Sequence, residues 1–373
     1  MPAQAEVLSN TLESAIKAGE KSVIDDEVVA GRIDFICRCY NRAGVRLLMS
    51  CLLARLHRPG VDPRKPFTVI GSPDAFSGRT YDERYLSPFI NANRLPCNST
   101  TAFLTPALRN HDRPLTTSTR LVGRPREMYE YTIELLEEVA AGRLSAGDAL
   151  IETLRILLMM RDERQSRIDS LLSSLNRGGG SLPLSSEAIV NLLDQHLKCK
   201  HSSRLPVLIV AAAYTAASGK LGERNLPLKG HDAADEQTGA LGDVEICLTN
   251  DDRIRTIYEM KSKRVTKEDL ERALQKISTL QGQVDNYVFI TTDVIEQLVA
   301  EYATTLYEKT GGTEFVILDC LGFLRHFLHL FHRLRTEFLE AYQALVLGEP
   351  TSSVSAPLKE AFLSLRHAAE SED

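Results

Sequence analysis

The chain has 373 residues, of which 43% are hydrophobic and 25% charged, and its formal net charge is −6 at neutral pH. This composition is typical of a soluble globular protein with a sizeable core and argues against a disordered or collagen-like chain. The N-terminus has no basic and apolar leader, and no apolar run approaches the roughly 18 residues of a membrane span, so we expect no membrane association. Seven cysteines without a CxxC pair indicate reduced, mostly buried thiols in a cytoplasmic protein.

Residues 1–178 are predicted to form a mainly helical, loop-rich domain. The first 25 residues are polar and weakly helical, and we expect them to fray. Helical spacing of apolar residues then predicts three segments, which cover Asp26 to Leu56, Tyr129 to Ala141 and Ala146 to Leu175. Between them, residues 58–126 are rich in Pro, Gly, Asn and Thr, which indicates ordered irregular structure of the kind that often carries recognition residues.

Arginine is concentrated in this first domain. Residues 30–130 hold fifteen arginines and one lysine against eight acidic residues, so the rest of the chain is strongly acidic. Arginine forks onto phosphate oxygens and guanine edges, and a basic surface beside an acidic, metal-binding domain would produce this distribution. We therefore predict a region for DNA recognition and dimerisation, with Arg79 and Arg84 among the candidate DNA contacts. A solvated, arginine-rich helical surface is the alternative.

The clearest linker runs from Asn176 to Ser186 and includes three consecutive glycines. It predicts a domain boundary near Gly179, a catalytic domain over residues 179–348, and a polar, disordered tail over residues 349–373.

The elements after this linker alternate in type and indicate an α/β (α+β) mixture with one hairpin followed by crossovers. An apolar, Ala-rich helix over 204–219 comes first, and strands follow over 242–249 and 254–262. Thr266 is predicted to cap the next helix, which runs to about Leu280. The remaining predicted elements are a strand over 284–291, a helix over 294–309, a strand over 314–318 and a long helix from Leu321.

Two of these strands carry acidic residues and a lysine. Asp243 starts the first strand, and Glu259-Met260-Lys261 ends the second and is the only acid-x-Lys triplet in the chain. Side chains alternate along a strand, so Glu259 and Lys261 share one face while Met260 turns into the core. Asp243, Glu259 and the backbone carbonyl of Met260 could hold Mg²⁺. The Lys261 ammonium could orient or activate a water molecule, or stabilise negative charge on the scissile phosphate. The pattern therefore predicts phosphodiester hydrolysis.

Accessory site residues are predicted with less support. Glu245 shares the face of Asp243, Glu223 follows the Ala-rich helix, and Gln275 projects from the helix after the lysine. For Glu245 and Gln275, a solvated surface position is the alternative. The loop acids Asp232, Asp235 and Glu236 are further candidate metal ligands.

The segment from Arg204 to Leu318 resembles the αββαβ core of the PD-(D/E)xK nuclease superfamily in the order and spacing of its elements. The short pattern alone occurs by chance in most chains, and the flanking strands and helices supply its specificity. Gly242 stands where the name of the superfamily has proline. The alternative is a surface aspartate beside an ordinary Glu–Lys pair.

Several runs along most of the chain resemble the SacI-type family of type II restriction endonucleases. They are Val61-Asp-Pro-Arg64, Ala75-Phe-Ser-Gly-Arg-Thr80, Ser203-Arg-Leu-Pro-Val-Leu-Ile-Val, Gly242-Asp-Val and Tyr258-Glu-Met-Lys261.

This resemblance implies a bacterial restriction–modification enzyme with a restriction-endonuclease-like core and a helical N-terminal domain. It implies a homodimer that cuts double-stranded DNA at a short palindromic site with Mg²⁺, alongside a cognate DNA methyltransferase. Catalytic roles are implied only for Asp243, Glu259 and Lys261. A structure-specific or repair nuclease on the same core and a non-catalytic DNA-binding protein on a decayed core are the alternatives.

Overall fold

The computed structural model describes residues 3–98, 100–109, 111–177, 182–228, 241–278 and 284–371. The fold is mixed α/β and mostly helical, with one five-stranded mixed sheet. The chain divides into two compact units, Met1–Ser166 and Arg167–Asp373. This division falls inside a continuous helix, and the predicted boundary near Gly179 lies outside the described residues.

The first unit is helical with long irregular connections. Its helices are α1 (Gln4–Ala18), α2 (Glu27–Arg38), α3 (Ala43–His57), α4 (Gly78–Tyr81), α5 (Ser87–Ala92), α6 (Arg126–Ala140) and the first part of α7 (Ala146–Arg177). Every residue of α3 from Ala43 to Ala54 is buried, so this helix forms the centre of the unit. Although its sequence is polar, α1 buries Leu8, Thr11 and Ala15 at a helical spacing that gives it an anchoring face.

An ion pair in the core holds the irregular segment of the first unit. Arg46 on α3 and Asp82 are both almost fully buried, and Arg46 Nη2 lies 2.8 Å from Asp82 Oδ1. The other Asp82 oxygen accepts from the backbone N–H of Ala102 at 3.1 Å and from the Thr101 hydroxyl. Because a buried charge must be paired and hydrogen-bonded, this arrangement ties two parts of the loop region to α3.

The second unit contains the sheet. Its elements after α7 are α8 (Ser186–Leu197), α9 (Leu205–Leu221), β1 (Glu223–Asn225), β2 (Val244–Leu248), β3 (Ile254–Lys261), α10 (Lys267–Ser278), β4 (Asn286–Thr291), α11 (Gln297–Thr310), β5 (Glu314–Asp319), α12 (Cys320–Leu330), α13 (Arg335–Gly348) and α14 (Ala356–Ser371). The strands predicted from the sequence at β2, β3, β4 and β5 are confirmed. The short strand β1 lies in a segment that was read as a loop.

The strands lie in chain order, β1 to β5. The β1–β2 and β2–β3 pairs are antiparallel, whereas β3–β4 and β4–β5 are parallel. Alternate side chains enter two different cores, as the pleat requires. Tyr258 and Val288 pack with α9 on one face, while Ile257, Tyr287 and Phe289 pack with α10 and α11 on the other.

The prediction of a disordered tail over residues 349–373 is wrong for most of that segment. Ala356–Ser371 forms α14, which buries Leu358, Phe362 and Leu363 in the core shared with α9. The Phe362 ring lies 5.3 Å from the Tyr342 ring and 5.4 Å from the His196 ring, measured between centroids. The polar composition concealed a narrow apolar stripe at helical spacing.

None of the helices in the described ranges combines the length and apolarity that a bilayer crossing needs.

We expect Phe362→Ala to lower the free energy of unfolding by about 3–5 kcal/mol, because it opens a cavity among buried aromatic rings. Urea denaturation followed by circular dichroism measures this change. Ser364→Ala on the exposed side of α14 is the matched control, with an expected change under about 0.5 kcal/mol. Equal stability of the two variants would show that α14 does not pack in solution.

Candidate active site

Asp243 is held against β3 by its backbone and by its side chain. Its backbone N–H donates to the Tyr258 carbonyl at 2.8 Å, and its Oδ2 accepts from the backbone N–H of Met260 at 2.7 Å. The start of β2 and the end of β3 therefore bring Asp243 beside the Glu259-Met260-Lys261 triplet, as the sequence predicted.

Gly242 sits where the two strands approach most closely. A Cβ atom at this position would lie 2.5 Å from Ile257 Cγ2 and 2.7 Å from the carbonyl oxygen of Tyr258. These distances are well inside contact distance, so any larger residue must push β2 away from β3. Glycine at position 242 is therefore required by local packing.

Glu259 is largely buried, and donors contact both of its carboxylate oxygens. Lys261 Nζ lies 2.7 Å from Oε1, and Lys276 Nζ lies 3.3 Å from Oε2. The Tyr287 hydroxyl donates to Oε2 and also lies 3.1 Å from the carbonyl oxygen of Leu241. Met260 packs against the opposite core, as expected from strand alternation.

Asp269 provides a second acidic partner for Lys261, with 3.2 Å between Oδ1 and Nζ. It lies in the first turn of α10, where its Oδ2 accepts from the backbone N–H of Thr266 at 2.9 Å. Thr266 in turn accepts from the backbone N–H of Asp269 at 3.3 Å, so the predicted cap is confirmed as a reciprocal pair. Arg272 Nη2 lies 2.6 Å from Asp269 Oδ1.

The charges in this cluster fix the protonation states of Glu259 and Lys261. Burial by itself would raise the pKa of Glu259, but hydrogen bonds from Lys261 and Tyr287 and the nearby ammonium charges lower that pKa overall. Burial would likewise lower the pKa of Lys261, but Glu259 and Asp269 outweigh it and raise that pKa. Glu259 is therefore a carboxylate and Lys261 an ammonium at neutral pH.

Sequence reasoning did not identify Asp269, Lys276 or Tyr287. Asp269 and Lys276 are seven residues apart, which is two helical turns and places both on one side of α10. Tyr287 lies beside Ile257 in the parallel register of β3 and β4, on the face that carries Glu259. Helical spacing could have identified the first two once α10 was placed, whereas Tyr287 required knowledge of the strand pairing.

Gln275 is exposed, and its backbone carbonyl accepts from the Ser278 hydroxyl at 2.8 Å. Its neighbour Lys276 reaches Glu259 instead, because it lies on the side of α10 that faces the sheet.

Glu223 lies away from the cluster around Glu259, whereas Glu245 contacts the turn that precedes Asp243. Glu223 pairs with Leu248, at the end of β2 far from Asp243, so strand geometry places it away from the site. Glu245 is 7% exposed, and its Oε1 accepts from the backbone N–H of Leu241 at 2.8 Å, which fixes the turn before Asp243. Asp232, Asp235 and Glu236 lie outside the described residues.

Arg79 and Arg84 are both exposed in the first unit. Arg79 forms an ion pair with Glu83 at 2.8 Å, and Arg84 lies over the Tyr85 ring at 5.9 Å from its centroid. Arg42 and Arg46 are buried and contact backbone or core groups, so the arginine-rich composition overstates the basic surface. The exposed arginines between residues 30 and 130 are Arg38, Arg58, Arg79, Arg84, Arg94, Arg109, Arg113, Arg120, Arg124 and Arg126.

The donor set suits a hard cation that retains water or substrate ligands. Within the described ranges, no group of three or more His, Cys, Asp or Glu side chains is arranged to hold a metal ion. Mg²⁺ does not require such a cage, since proteins commonly bind it through one or two carboxylates together with phosphate oxygens. Asp243, Glu259 and the Met260 carbonyl meet that requirement.

No protein-family model matches this chain, and no curated protein matches it significantly.

We expect Gly242→Ala to lower the free energy of unfolding by about 1–3 kcal/mol, because the new methyl group overlaps the Tyr258 carbonyl and the Ile257 side chain. Thermal unfolding followed by circular dichroism measures the change. Gly219→Ala, in the exposed part of α9 with open space around the added carbon, is the control and should be neutral or slightly stabilising. A Gly242→Ala protein as stable as wild type would contradict the close approach of β2 and β3.

We expect the stability advantage of wild type over Glu259→Gln to depend on pH. Because the pKa of Glu259 is below its ordinary value of 4.5, the stabilisation is complete above that pH and is lost as the pH falls through the folded-state pKa. Because the pKa of Lys261 is raised above its ordinary value of 10.5, the lysine stays charged throughout the acidic and neutral range.

Urea denaturation from about pH 3 to pH 9 tests this expectation. The difference in unfolding free energy should be about 1–3 kcal/mol at neutral pH and should shrink on acidification. Glu271→Gln, at an exposed position on α10, should change stability by less than about 0.5 kcal/mol at neutral pH. A wild-type advantage that stays constant down to pH 3 would contradict the assigned ion pair.

Proposed function

We propose that the protein is a Mg²⁺-dependent endonuclease that cleaves phosphodiester bonds in double-stranded DNA at specific sites, of the type II restriction class. The observation that carries this proposal is the meeting of Asp243 with Glu259 and Lys261 at the ends of two paired strands. The element order also supports it, because α9, β2, β3, α10 and β4 occur in the αββαβ order of the PD-(D/E)xK superfamily, with the short strand β1 added between α9 and β2.

In this proposal Asp243, Glu259 and the Met260 carbonyl hold Mg²⁺, which supplies Lewis-acid activation of water and neutralises charge at the phosphate. The chain contributes the orientation of these donors. Asp243 is fixed by its hydrogen bond to Met260, and Glu259 is fixed by Tyr287 and the two lysines.

Lys261 acts as a charged hydrogen-bond donor. In the metal-free protein, hydrogen bonds and charge from Glu259 and Asp269 raise the pKa of Lys261 and keep it an ammonium. An ammonium at this position orients the attacking water and meets the negative charge that develops on the phosphate. Its contacts with Glu259 and Asp269 direct it toward the site.

In this proposal the arginine-rich first unit recognises the DNA sequence that is cut. Exposed arginines, including Arg79 and Arg84, would grip phosphates and read base edges in the major groove. A homodimer would bind a palindromic DNA site, since two-fold symmetry in DNA matches two-fold symmetry in the protein. A cognate methyltransferase would protect the host DNA as a functional partner.

Incubation of the protein with plasmid or phage DNA and Mg²⁺ tests the proposal. We expect discrete fragments, loss of cleavage when the metal is chelated, and a rate at least about 100-fold lower for Lys261→Ala. Lys309→Ala, an exposed substitution on α11, is the matched control and should cut like wild type.

The other outcomes separate the alternatives. Nicking or smearing without discrete fragments would favour a structure-specific or repair nuclease. Absence of cleavage, with wild type and Lys261→Ala binding DNA equally, would favour a non-catalytic DNA-binding protein.

A further inference from the structure

Lys276 is a second ammonium at Glu259, outside the acid-x-Lys triplet. Its Nζ lies 3.3 Å from Glu259 Oε2, with the Lys276 side chain 28% exposed and that of Glu259 15% exposed. Lys276 reaches this position from α10, two helical turns after Asp269. Together with Lys261 and Tyr287, it gives the carboxylate three donors over its two oxygens.

This arrangement satisfies Glu259 before any metal binds. Two positive charges lie within hydrogen-bonding range of a single negative charge at a partly desolvated position. A divalent cation that approaches Glu259 must therefore share an oxygen with an ammonium or displace it, and it is repelled by whichever ammonium remains. The energetic effect is larger than at a fully exposed pair because the site is partly shielded from water.

The two lysines differ in their position relative to the proposed reaction. Lys261 lies in the strand that carries the metal-binding carbonyl and also contacts Asp269 Oδ1 at 3.2 Å, so it keeps an acidic partner if it leaves Glu259. Lys276 contacts the oxygen that Tyr287 also holds, on the side of Glu259 covered by α10.

We propose that Lys276 is a positioning residue that competes with the divalent metal for Glu259. In the metal-free protein its ammonium contacts the carboxylate and orients it, and it yields when Mg²⁺ binds. This inference rests on the proposed function, because it takes Glu259 as a metal ligand. It predicts that removing the charge of Lys276 tightens metal binding, in contrast to the loss expected for a residue that only supports the fold.

Isothermal titration calorimetry of the metal-free full chain with MnCl₂ or MgCl₂ provides the test. For Lys276→Gln we expect the dissociation constant to fall by about fivefold or more, from removal of one positive charge beside the metal. Lys276→Arg keeps the charge and should bind metal within about twofold of wild type. Tyr287→Phe removes a donor from the same oxygen without removing a charge, so it should not tighten binding. Thermal melts establish that each variant is folded.

Lys267→Gln is the matched control, since Lys267 is an exposed lysine on the same helix and lies over the Tyr302 ring. It should leave the dissociation constant within about twofold of wild type. Unchanged or weaker metal binding by Lys276→Gln would overturn the inference, and so would equal tightening by Lys267→Gln.

Failure of the inference is distinguishable from failure of the proposed function. Asp243→Asn should abolish the titration heat. If neither wild type nor Lys276→Gln shows heat that Asp243→Asn removes, the metal site itself is refuted and the inference with it. If wild type binds metal and cuts DNA while Lys276→Gln binds metal no more tightly, only the role of Lys276 is refuted.

Discussion

The antiparallel contact between the start of β2 and the end of β3 is the constraint on which the candidate site depends. Asp243 bonds to the β3 backbone on both sides of Glu259, through the Tyr258 carbonyl and the Met260 N–H. That contact is close enough to exclude any side chain at Gly242. Main-chain pairing therefore sets the relative position of the two residues that carry the carboxylates.

The second requirement is charge compensation around a partly buried carboxylate. Glu259 lies on the face of the sheet that packs against α10 and α11, where an unpaired charge would be costly. Three donors compensate the charge: Lys261 from the same strand, Lys276 from α10 and Tyr287 from β4. Three separate elements thus converge on one side chain, so packing of the sheet and organisation of the site depend on each other.

Local patterns in the sequence were sufficient to predict part of this arrangement. Strand alternation placed Glu259 and Lys261 on one face, and the order of elements gave the hairpin and the crossovers. Tyr287 reaches the site through parallel strand pairing, which local patterns do not report. Gln275 was one position away from the residue that faces the sheet, since one helical residue changes direction by about 100°.

The overall composition of a segment predicted its structure less well than the positions of individual residues in that segment. The polar C-terminal segment forms α14 because a few apolar residues at helical spacing suffice to pack a helix. The count of arginines overstated the basic surface because Arg42 and Arg46 serve the interior of the first unit. In both cases the residue composition of a segment did not indicate which contacts its individual side chains make.

Leu241 links the path of the chain to the carboxylate of the site. Its N–H donates to Glu245 Oε1, and its carbonyl oxygen lies 3.1 Å from the Tyr287 hydroxyl, which also holds Glu259. One peptide segment is thus clamped on both sides immediately before Asp243. A displacement of the backbone at Leu241 would shift the Tyr287 hydroxyl and, with it, the orientation of Glu259. The segment that leads into β2 is therefore connected to the Glu259 carboxylate through the Tyr287 hydroxyl, without contacting it directly.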